Sequence, residues 1–458
     1  MSKQPTSAFP GTAGTATLPP RTAGPVLDEV PAQRPAPSST HEEPTFDDVL
    51  GRSLLRCVFQ PLVDLDTGET LGHEALLRGP RGTWESPLTL LAAARDAGRL
   101  PELERVSIGM AVRAAQAQSA GLPVTLFVNV EPSTVTDGLA VVLEAVADRA
   151  AHVQVVVEIT ERALAVDPAG VLAGAERLRA AGCAIALDDV GVEPASLAFI
   201  PILRPEIVKL DLGLLRTLDD PMTITVAGAV RAYAEVSGAE VVAEGIEVEE
   251  DLVRAMVLGA TLGQGWLWGR PDETFGTATA WPERFAARPV EPLLRATPFE
   301  LIRDCRQIRR APKRLLLPIS RTLELAAMQS TVPPLLLSSF QHAHHLPPRT
   351  AARYADLAAH LPFVGALAQN LSAEPAPAVR GTALEEQDPL SREWTVVVLG
   401  AHESTALIAR EVAPAEQDPS AVLEDGERPF DFVVTHDRDL VTAAALALVG
   451  RLTPAPEV

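Results

Sequence analysis

A succession of β-like apolar runs in this chain ends on side chains that can hold a metal ion or move a proton. In order they are Glu74, Asn129, Glu158, Asp188 with Asp189, Lys209, Glu244 and Gln264. Glu74, Asn129, Glu158 and Asp188 offer hard oxygen ligands and no His or Cys joins them, a donor set that suits Mg²⁺ or Mn²⁺ and not zinc. Asp188 and Asp189 are adjacent, and a strand-end turn can let the pair serve two ions. Two ions about 3.5–4 Å apart can clamp a phosphodiester and lower the pKa of a bridging water. Lys209 can orient and polarise that water, and Glu244 can hold it or take its proton. Arg78 supplies a planar fork suited to a phosphate oxygen.

Such residues act together only if the fold brings them together. Strand-like runs fall at Cys57–Val63, Thr70–Leu77, Val124–Val130, Val153–Ile159, Ala184–Leu187, Ile207–Leu210, Glu240–Ala243 and Thr261–Leu262. Helix-like stretches lie between them at Pro87–Ala97, Leu103–Ala117, Ala169–Ala181, Met222–Val236 and Glu249–Leu258. Gly121, Gly182, Gly238 and Gly259 each follow a helical run, where a left-handed C-cap belongs. Strands alternating with helices imply an α/β fold with a parallel sheet, and this many units imply a (β/α)8 TIM-like barrel whose strand ends converge on one rim. The barrel is expected over 46–287. Prolines at 289, 292 and 298 mark a joint, and a smaller α/β domain is expected over 295–455. Its strand candidates are Arg314–Pro318, Pro334–Ser338, Trp394–Gly400 and Phe430–Thr435, with helices at Pro348–His360 and Leu440–Leu452 and a loop around Ala373–Arg392. Residues 1–45 are rich in Pro, Ala, Thr, Ser and Gly and are expected to be disordered, because they cannot bury enough apolar surface to offset their ordering entropy.

The formal charge of −21 argues against binding a nucleic-acid polymer, though not against a small anion held by a local metal cluster. Cys57, Cys183 and Cys305 are far apart and outside any metal-ligand spacing, which reads as reduced thiols. The first residues lack the apolar segment of a signal peptide, and no apolar run of about 20 residues is present. A cytoplasmic protein without membrane contact is expected.

The motifs resemble those of the EAL family of cyclic-di-GMP phosphodiesterases. Glu74-Ala75-Leu76-Leu77-Arg78 matches the signature itself. Phe127-Val128-Asn129-Val130, Glu158-Ile159-Thr160-Glu161, Asp188-Asp189-Val190-Gly191, Val208-Lys209-Leu210-Asp211, Ala243-Glu244-Gly245-Ile246-Glu247 and Gln264-Gly265 follow in family order. The resemblance implies metal ligation by Glu74, Asn129, Glu158, Asp188 and Asp189, with Lys209 and Glu244 completing the catalytic set and Gln264 close by. It implies two Mg²⁺ or Mn²⁺ ions and opening of cyclic-di-GMP to linear pGpG. It also places Gln60 near the ligand, although a strand-end turn residue is an equal reading. Glu161 and Glu247 read as ligands or as supporting hydrogen-bond acceptors, and Asp211 as a loop anchor behind the ligands. Trp266 and Trp268 can stack on a guanine or pack under the rim.

One departure stands out. Where active members carry a loop of the form DDFGTGYSSL, this chain has Val190-Gly191-Val192-Glu193-Pro194-Ala195-Ser196-Leu197 after the Asp pair. Glu193 lacks glycine's freedom at positive φ, and Pro194 restricts its predecessor. In the family this loop couples dimerisation to the second metal, so a homodimer is implied by resemblance alone, and a receptor that binds the dinucleotide without cleaving it is the rival reading. Thr297-Pro298-Phe299-Glu300-Leu301, the run from Trp394 to Gly400 and the run from Phe432 to Asp437 resemble the DICT sensory domain. The cluster His342, His344 and His345 reads as a turn rather than a metal site, since no Cys or carboxylate joins it at ligand spacing.

Overall fold

In the computed structural model, the described residues are 44–160, 164, 166–192, 194–217, 219–274, 284–289, 296–412 and 424–452. The tail expected to be disordered lies outside them apart from residues 44 and 45. At its boundary Thr45 caps the helix Phe46–Gly51, accepting from the Asp48 amide while Asp48 accepts from the Thr45 amide.

Eight strands close into a barrel in sequence order. They are β1 (Arg56–Asp64), β2 (Thr70–Arg78), β3 (Val124–Asn129), β4 (Val153–Thr160), β5 (Ala184–Val190), β6 (Ile207–Leu210), β7 (Glu240–Ala243) and β8 (Leu262–Gln264). Strands β2 to β8 are parallel, and the helices Pro87–Asp96, Leu100–Gln118, Pro168–Ala180, Pro221–Ser237 and Glu249–Leu258 cover them much as their sequence periodicity suggests. Gly121, Gly182, Gly238 and Gly259 all have positive φ, as left-handed helix ends require.

The barrel departs from an all-parallel sheet at one strand. β1 runs antiparallel to both β2 and β8. The link from β1 to β2 is a tight turn in which Asp64 accepts from the amides of Asp66 and Thr67. A parallel pair needs a crossover of a dozen residues or more, and this connection is far shorter, so the chain must reverse.

The barrel lumen is packed and not hollow. Leu62, Leu71, Phe127, Val156, Ala184, Ala186, Ile207, Val242, Leu262 and Phe285 form one buried layer, with Phe285 meeting Phe127 edge-on at 5.6 Å between ring centroids.

Beyond the joint, seven strands form a second sheet in the order β12-β11-β10-β13-β14-β15-β9. They are β9 (Arg309–Pro312), β10 (Leu335–His342), β11 (Val364–Gln369), β12 (Arg380–Leu384), β13 (Glu393–Leu399), β14 (Ser404–Glu411) and β15 (Pro429–Thr435). Two expectations change here. The run Arg314–Pro318 is not a strand but the start of the helix Lys313–Gln329, which carries Pro318 inside it. Its leucines serve opposite sides of that helix, with Leu316 buried and Leu315 exposed. The stretch Ala373–Arg392 contains the edge strand β12, paired in parallel to β11. An added Cβ at Gly381 would lie 2.0 Å from the Ser372 carbonyl oxygen, so glycine permits that close approach.

The two sheets share a hydrophobic core. Leu197, Phe199, Ile200 and Ile202 of the barrel belong to the same buried cluster as Phe363, Val441, Ala444 and Leu448. Phe199 meets Phe363 at 5.9 Å, and Arg380 donates to the Val166 carbonyl at 3.0 Å. Among the described residues no helix is long and apolar enough to cross a membrane.

Candidate active site

Residues two apart on a strand share a face. Directly above the lumen layer, two residues further along each strand, the polar groups appear: Asn129 above Phe127, Glu158 above Val156 and Asp188 above Ala186. Lys209 follows Ile207, Glu244 follows Val242 and Gln264 follows Leu262 in the same way. The apolar floor and the polar layer are consecutive turns of one alternation. Glu74 joins from the middle of β2 rather than its end, because β2 extends past the barrel rim to Arg78.

Lys209 is the centre of this layer and is 1% exposed. Its ammonium lies 2.7 Å from Glu158 Oε1, 2.7 Å from Glu244 Oε1, 3.2 Å from Asp188 Oδ1 and 3.5 Å from Glu74 Oε2. Burial opposes the lysine charge, but Asp188, Glu158, Glu244 and Glu74 outweigh it and hold the pKa well above the usual lysine value. Glu74 is also penalised by burial. Lys209 and hydrogen bonds from Gln264 at 2.8 Å and Asn129 at 2.7 Å nonetheless hold its carboxyl below the usual range. Burial pushes Glu158 well above the ordinary value, with Glu74 acting in the same direction, and pushes Glu244 up to about 8.

Adjacent strand residues normally face opposite sides, yet the turn at Asp188 and Asp189 aims both at the mouth. The β5–β6 register shifts between Leu187 and Val190, and Asp189 adopts φ 59°. A bulge of this kind re-aims side chains at a barrel rim. Oxygens of Asp188, Asp189 and Glu244 consequently lie within 4.8 Å of one another. Among the described residues, this is the group of three acidic, His or Cys side chains that closes to metal-binding distance. The neighbouring donors also fit a hard divalent cation. They are all oxygens, and Glu158 Oε2 and Gln264 Oε1 are buried without hydrogen-bond partners. Four carboxylates surround the one ammonium and Asp189 stands beside them, an acidic cluster whose charge divalent ions would offset.

Backbone packing holds the rim. Gly265 tucks against the turn after β7, where an added Cβ would stand 2.0 Å from the Ile246 carbonyl oxygen. The Ile246 amide in turn donates to the Gln264 carbonyl at 3.0 Å, which locks Glu244 and Gln264 into register.

Two cavities flank Glu74. The larger, about 540 Å³, is walled by Leu77, Leu88 and Leu91 and reaches Arg78, Asn129 and Glu158. The smaller, about 280 Å³, is bordered by Gln60, Glu244, Glu247, Gln264 and Trp266. Gln60 is not a turn residue. The antiparallel register sets it opposite Glu74, within 3.3 Å of the Gln264 amide nitrogen. Arg78 shares a strand face with Glu74 roughly 13 Å further along and donates to the Leu77 carbonyl. Asp211 sits outside the cluster and caps the helix Leu212–Arg216 by accepting from the Gly213 amide at 2.6 Å. Glu247 is exposed on the smaller cavity, and Glu161 lies outside the described residues. Trp266 is half exposed under the Arg270 guanidinium at 3.9 Å, whereas Trp268 packs against the core.

Sequence reasoning did not single out Glu104, Arg95 or Glu131, which line the larger cavity. Glu104 accepts from the Glu131 amide at 2.6 Å, and Arg95 pairs with Glu131 at 2.6 Å. Glu104 falls within a helical run with no local sign that it is buried. In the histidine cluster His342 and His344 stack while His345 lies edge-on to His342 and tilted to His344, and both nitrogens of His345 are engaged, by the Phe340 carbonyl and Arg428.

Both parts of the chain resemble known families. Residues 46–271 match the EAL domain family, and residues 300–412 match DICT, described as a sensory domain in diguanylate cyclases and two-component systems. The cyclic di-GMP phosphodiesterase RocR of Pseudomonas aeruginosa is 33% identical over 242 residues, covering 50% of this chain and 61% of that protein. The cyclic di-GMP phosphodiesterase PA2567 of the same organism is 32% identical over 224 residues, covering 47% of this chain and 38% of that protein. The chain thus spans less than two thirds of either relative. A solved structure of the PaMucR phosphodiesterase in complex with c-di-GMP is 26% identical, covers 49% of this chain and 94% of that one, and superposes with a TM-score of 0.45. With the motif residues gathered at one barrel mouth and both families matched in order, this chain is an EAL-domain protein that carries a C-terminal DICT domain.

Proposed function

We propose that this protein hydrolyses cyclic-di-GMP to linear pGpG at the barrel mouth with two Mg²⁺ or Mn²⁺ ions. The observation that carries the reading is the buried ring of Glu74, Glu158, Asp188 and Glu244 around Lys209, with Asp189 turned toward the same point. Glu74, Asn129, Glu158 and Asp188 would hold one ion, and Asp188 with Asp189 would hold the other, beside Glu244. When bound, such ions supply an acidified water and neutralise phosphate charge. Lys209 keeps its proton, spaces the carboxylates and presents its ammonium to the attacking water. Glu244, one residue past β7, is placed to hold that water or take its proton. Gln264 and Asn129 fix the rotamer of Glu74 from both sides. The two cavities beside Glu74 suit the two halves of a cyclic dinucleotide, with Arg78 reaching phosphate in the larger and Trp266 offering a face to a base in the smaller. The names of the relatives support the same substrate. Control by the C-terminal domain is supported by the shared core and by the Arg380 bond to Val166. A cytoplasmic setting fits an intracellular nucleotide substrate.

The test is cyclic-di-GMP turnover by the wild type beside Glu74→Ala, each with Mg²⁺ and with Mn²⁺, following pGpG. Turnover lost in the variant is expected, and an inert wild type under both metals refutes the proposal. The replacement of the family loop at Val192-Glu193-Pro194-Ala195 favours a second reading, a receptor that binds without cleaving. Calorimetric binding of the dinucleotide with no pGpG formed would select it.

A further inference from the structure

We propose that the cleft between the barrel and the C-terminal domain binds a small molecule with an apolar body and one anionic head. The cleft measures about 680 Å³, within the ordinary range for small-molecule sites. Leu197 and Ile200 of the barrel, both buried, and Leu446 of the C-terminal helix Arg438–Val449 supply apolar floor and wall.

The charge at its edges selects the head group. Arg204 and Arg288 enter from the barrel side and Arg438 from the other domain. Arg288 donates to the Ser237 carbonyl at 3.1 Å and Arg438 to the Gly400 carbonyl at 2.9 Å. Among the described residues, neither the Arg288 nor the Arg438 guanidinium has a carboxylate at ion-pair distance, although the chain as a whole carries a formal charge of −21. Asp439 is the one carboxylate in the lining, and it is exposed in the first turn of its helix. Burial lowers the Arg438 pKa from its usual value, so a half-buried cation there gains from an anionic partner. These guanidiniums bordering an apolar floor fit a carboxylate, sulfonate or phosphate attached to a hydrophobic group. They disfavour a cation.

The position of the cleft gives such a ligand a lever. Part of the barrel side of the lining, Leu197 to Arg204, belongs to the segment that directly follows the Asp188–Asp189 turn. An occupant would bridge that segment to the C-terminal helix.

The experiment is a fluorescence titration of the full chain with 8-anilinonaphthalene-1-sulfonate, beside the uncharged N-phenyl-1-naphthylamine. Saturable one-to-one binding of the sulfonate is expected. Arg288→Gln and Arg438→Gln should each weaken it roughly tenfold while leaving the neutral dye within about twofold. Ala443→Trp, which fills the cleft, should weaken both dyes, and Thr442→Phe serves the same purpose should the tryptophan variant not fold. The proposal is overturned if no saturable site exists, if both Gln variants bind the sulfonate like wild type, or if a folded cleft-filling variant binds unchanged. None of these readouts involves hydrolysis, so their failure leaves the proposed phosphodiesterase reaction standing.

Discussion

Replacing Lys209 by Met keeps the length of the side chain and removes the only cation in the acidic ring among the described residues. Glu74, Glu158, Asp188 and Glu244, now within 2.7–3.5 Å of the ammonium, would then face one another across a space that is almost wholly buried. Breaking a buried ion pair by removing one partner costs about 3–5 kcal/mol. The upper end of that range is not reached for each of the four contacts separately, because Glu158 and Glu244 already favour the protonated form and can discharge by taking a proton. The whole variant is therefore expected to lose about 3–5 kcal/mol, which for a domain of this size lowers the thermal midpoint by roughly 6–20 °C. The assay is thermal unfolding in chelator, repeated with Mn²⁺ or Mg²⁺ in excess. A metal at about one hundred times its dissociation constant adds about 2.7 kcal/mol, so saturating metal should restore much of the loss. The double variant Lys209→Met with Glu158→Gln should also recover part of it, since one carboxylate has been removed from the uncompensated ring. A single variant as stable as wild type in chelator would refute the reasoning. So would a double variant less stable by the full sum of both changes, because it would mean the charges are not coupled.

Two further outcomes follow from the packing. Gly265→Ala should destabilise the rim by about 1–3 kcal/mol and lower turnover more than Gly51→Ala, because its Cβ would stand 2.0 Å from the Ile246 carbonyl oxygen whereas nothing lies near Gly51; equal melting temperatures for the two variants would count against it. Glu393, in the C-terminal sheet, accepts from the Phe299 amide at 3.0 Å, and burial raises its carboxyl to about 7. A raised carboxyl contributes stability that is complete below the unfolded value near 4.5 and is lost as the pH rises through about 7, a loss of about 3 kcal/mol between pH 5 and 8 at most. Glu393→Gln should flatten that slope and exceed wild-type stability at pH 8, and parallel pH profiles for the two proteins would rule this out.

Much of the barrel could be read locally. The helices at 87–96, 168–180, 221–237 and 249–258 announce themselves by apolar periodicity, by proline at the first turn in the first three and acidic residues there in the fourth, and by glycine past the last. The second domain was less legible. Its Leu-Leu-Leu run at 315–317 suits a strand by composition, and only the packing of Leu316 against a sheet below makes it a helix. β12 is a short edge strand with Gly381 near its start, a pattern that in isolation reads as loop. Glu104 was invisible for another reason: a glutamate on a helix is ordinarily solvated, and its burial depends on strand β3 and the Glu131 backbone, far away in sequence.

Sequence alone determined which polar residues follow the buried strand positions and the order in which they line the barrel mouth, because a polar group two residues after a buried apolar one is a local signal carried by strand alternation. Tertiary structure decided the rest. It reversed β1 to bring Gln60 opposite Glu74, bulged β5 so that Asp188 and Asp189 share a side, and placed Lys209 at the centre of four carboxylates. It also set the C-terminal domain against the segment beyond the Asp pair. Each of these depends on register, closure and contacts between residues distant in the chain, and no local periodicity encodes them.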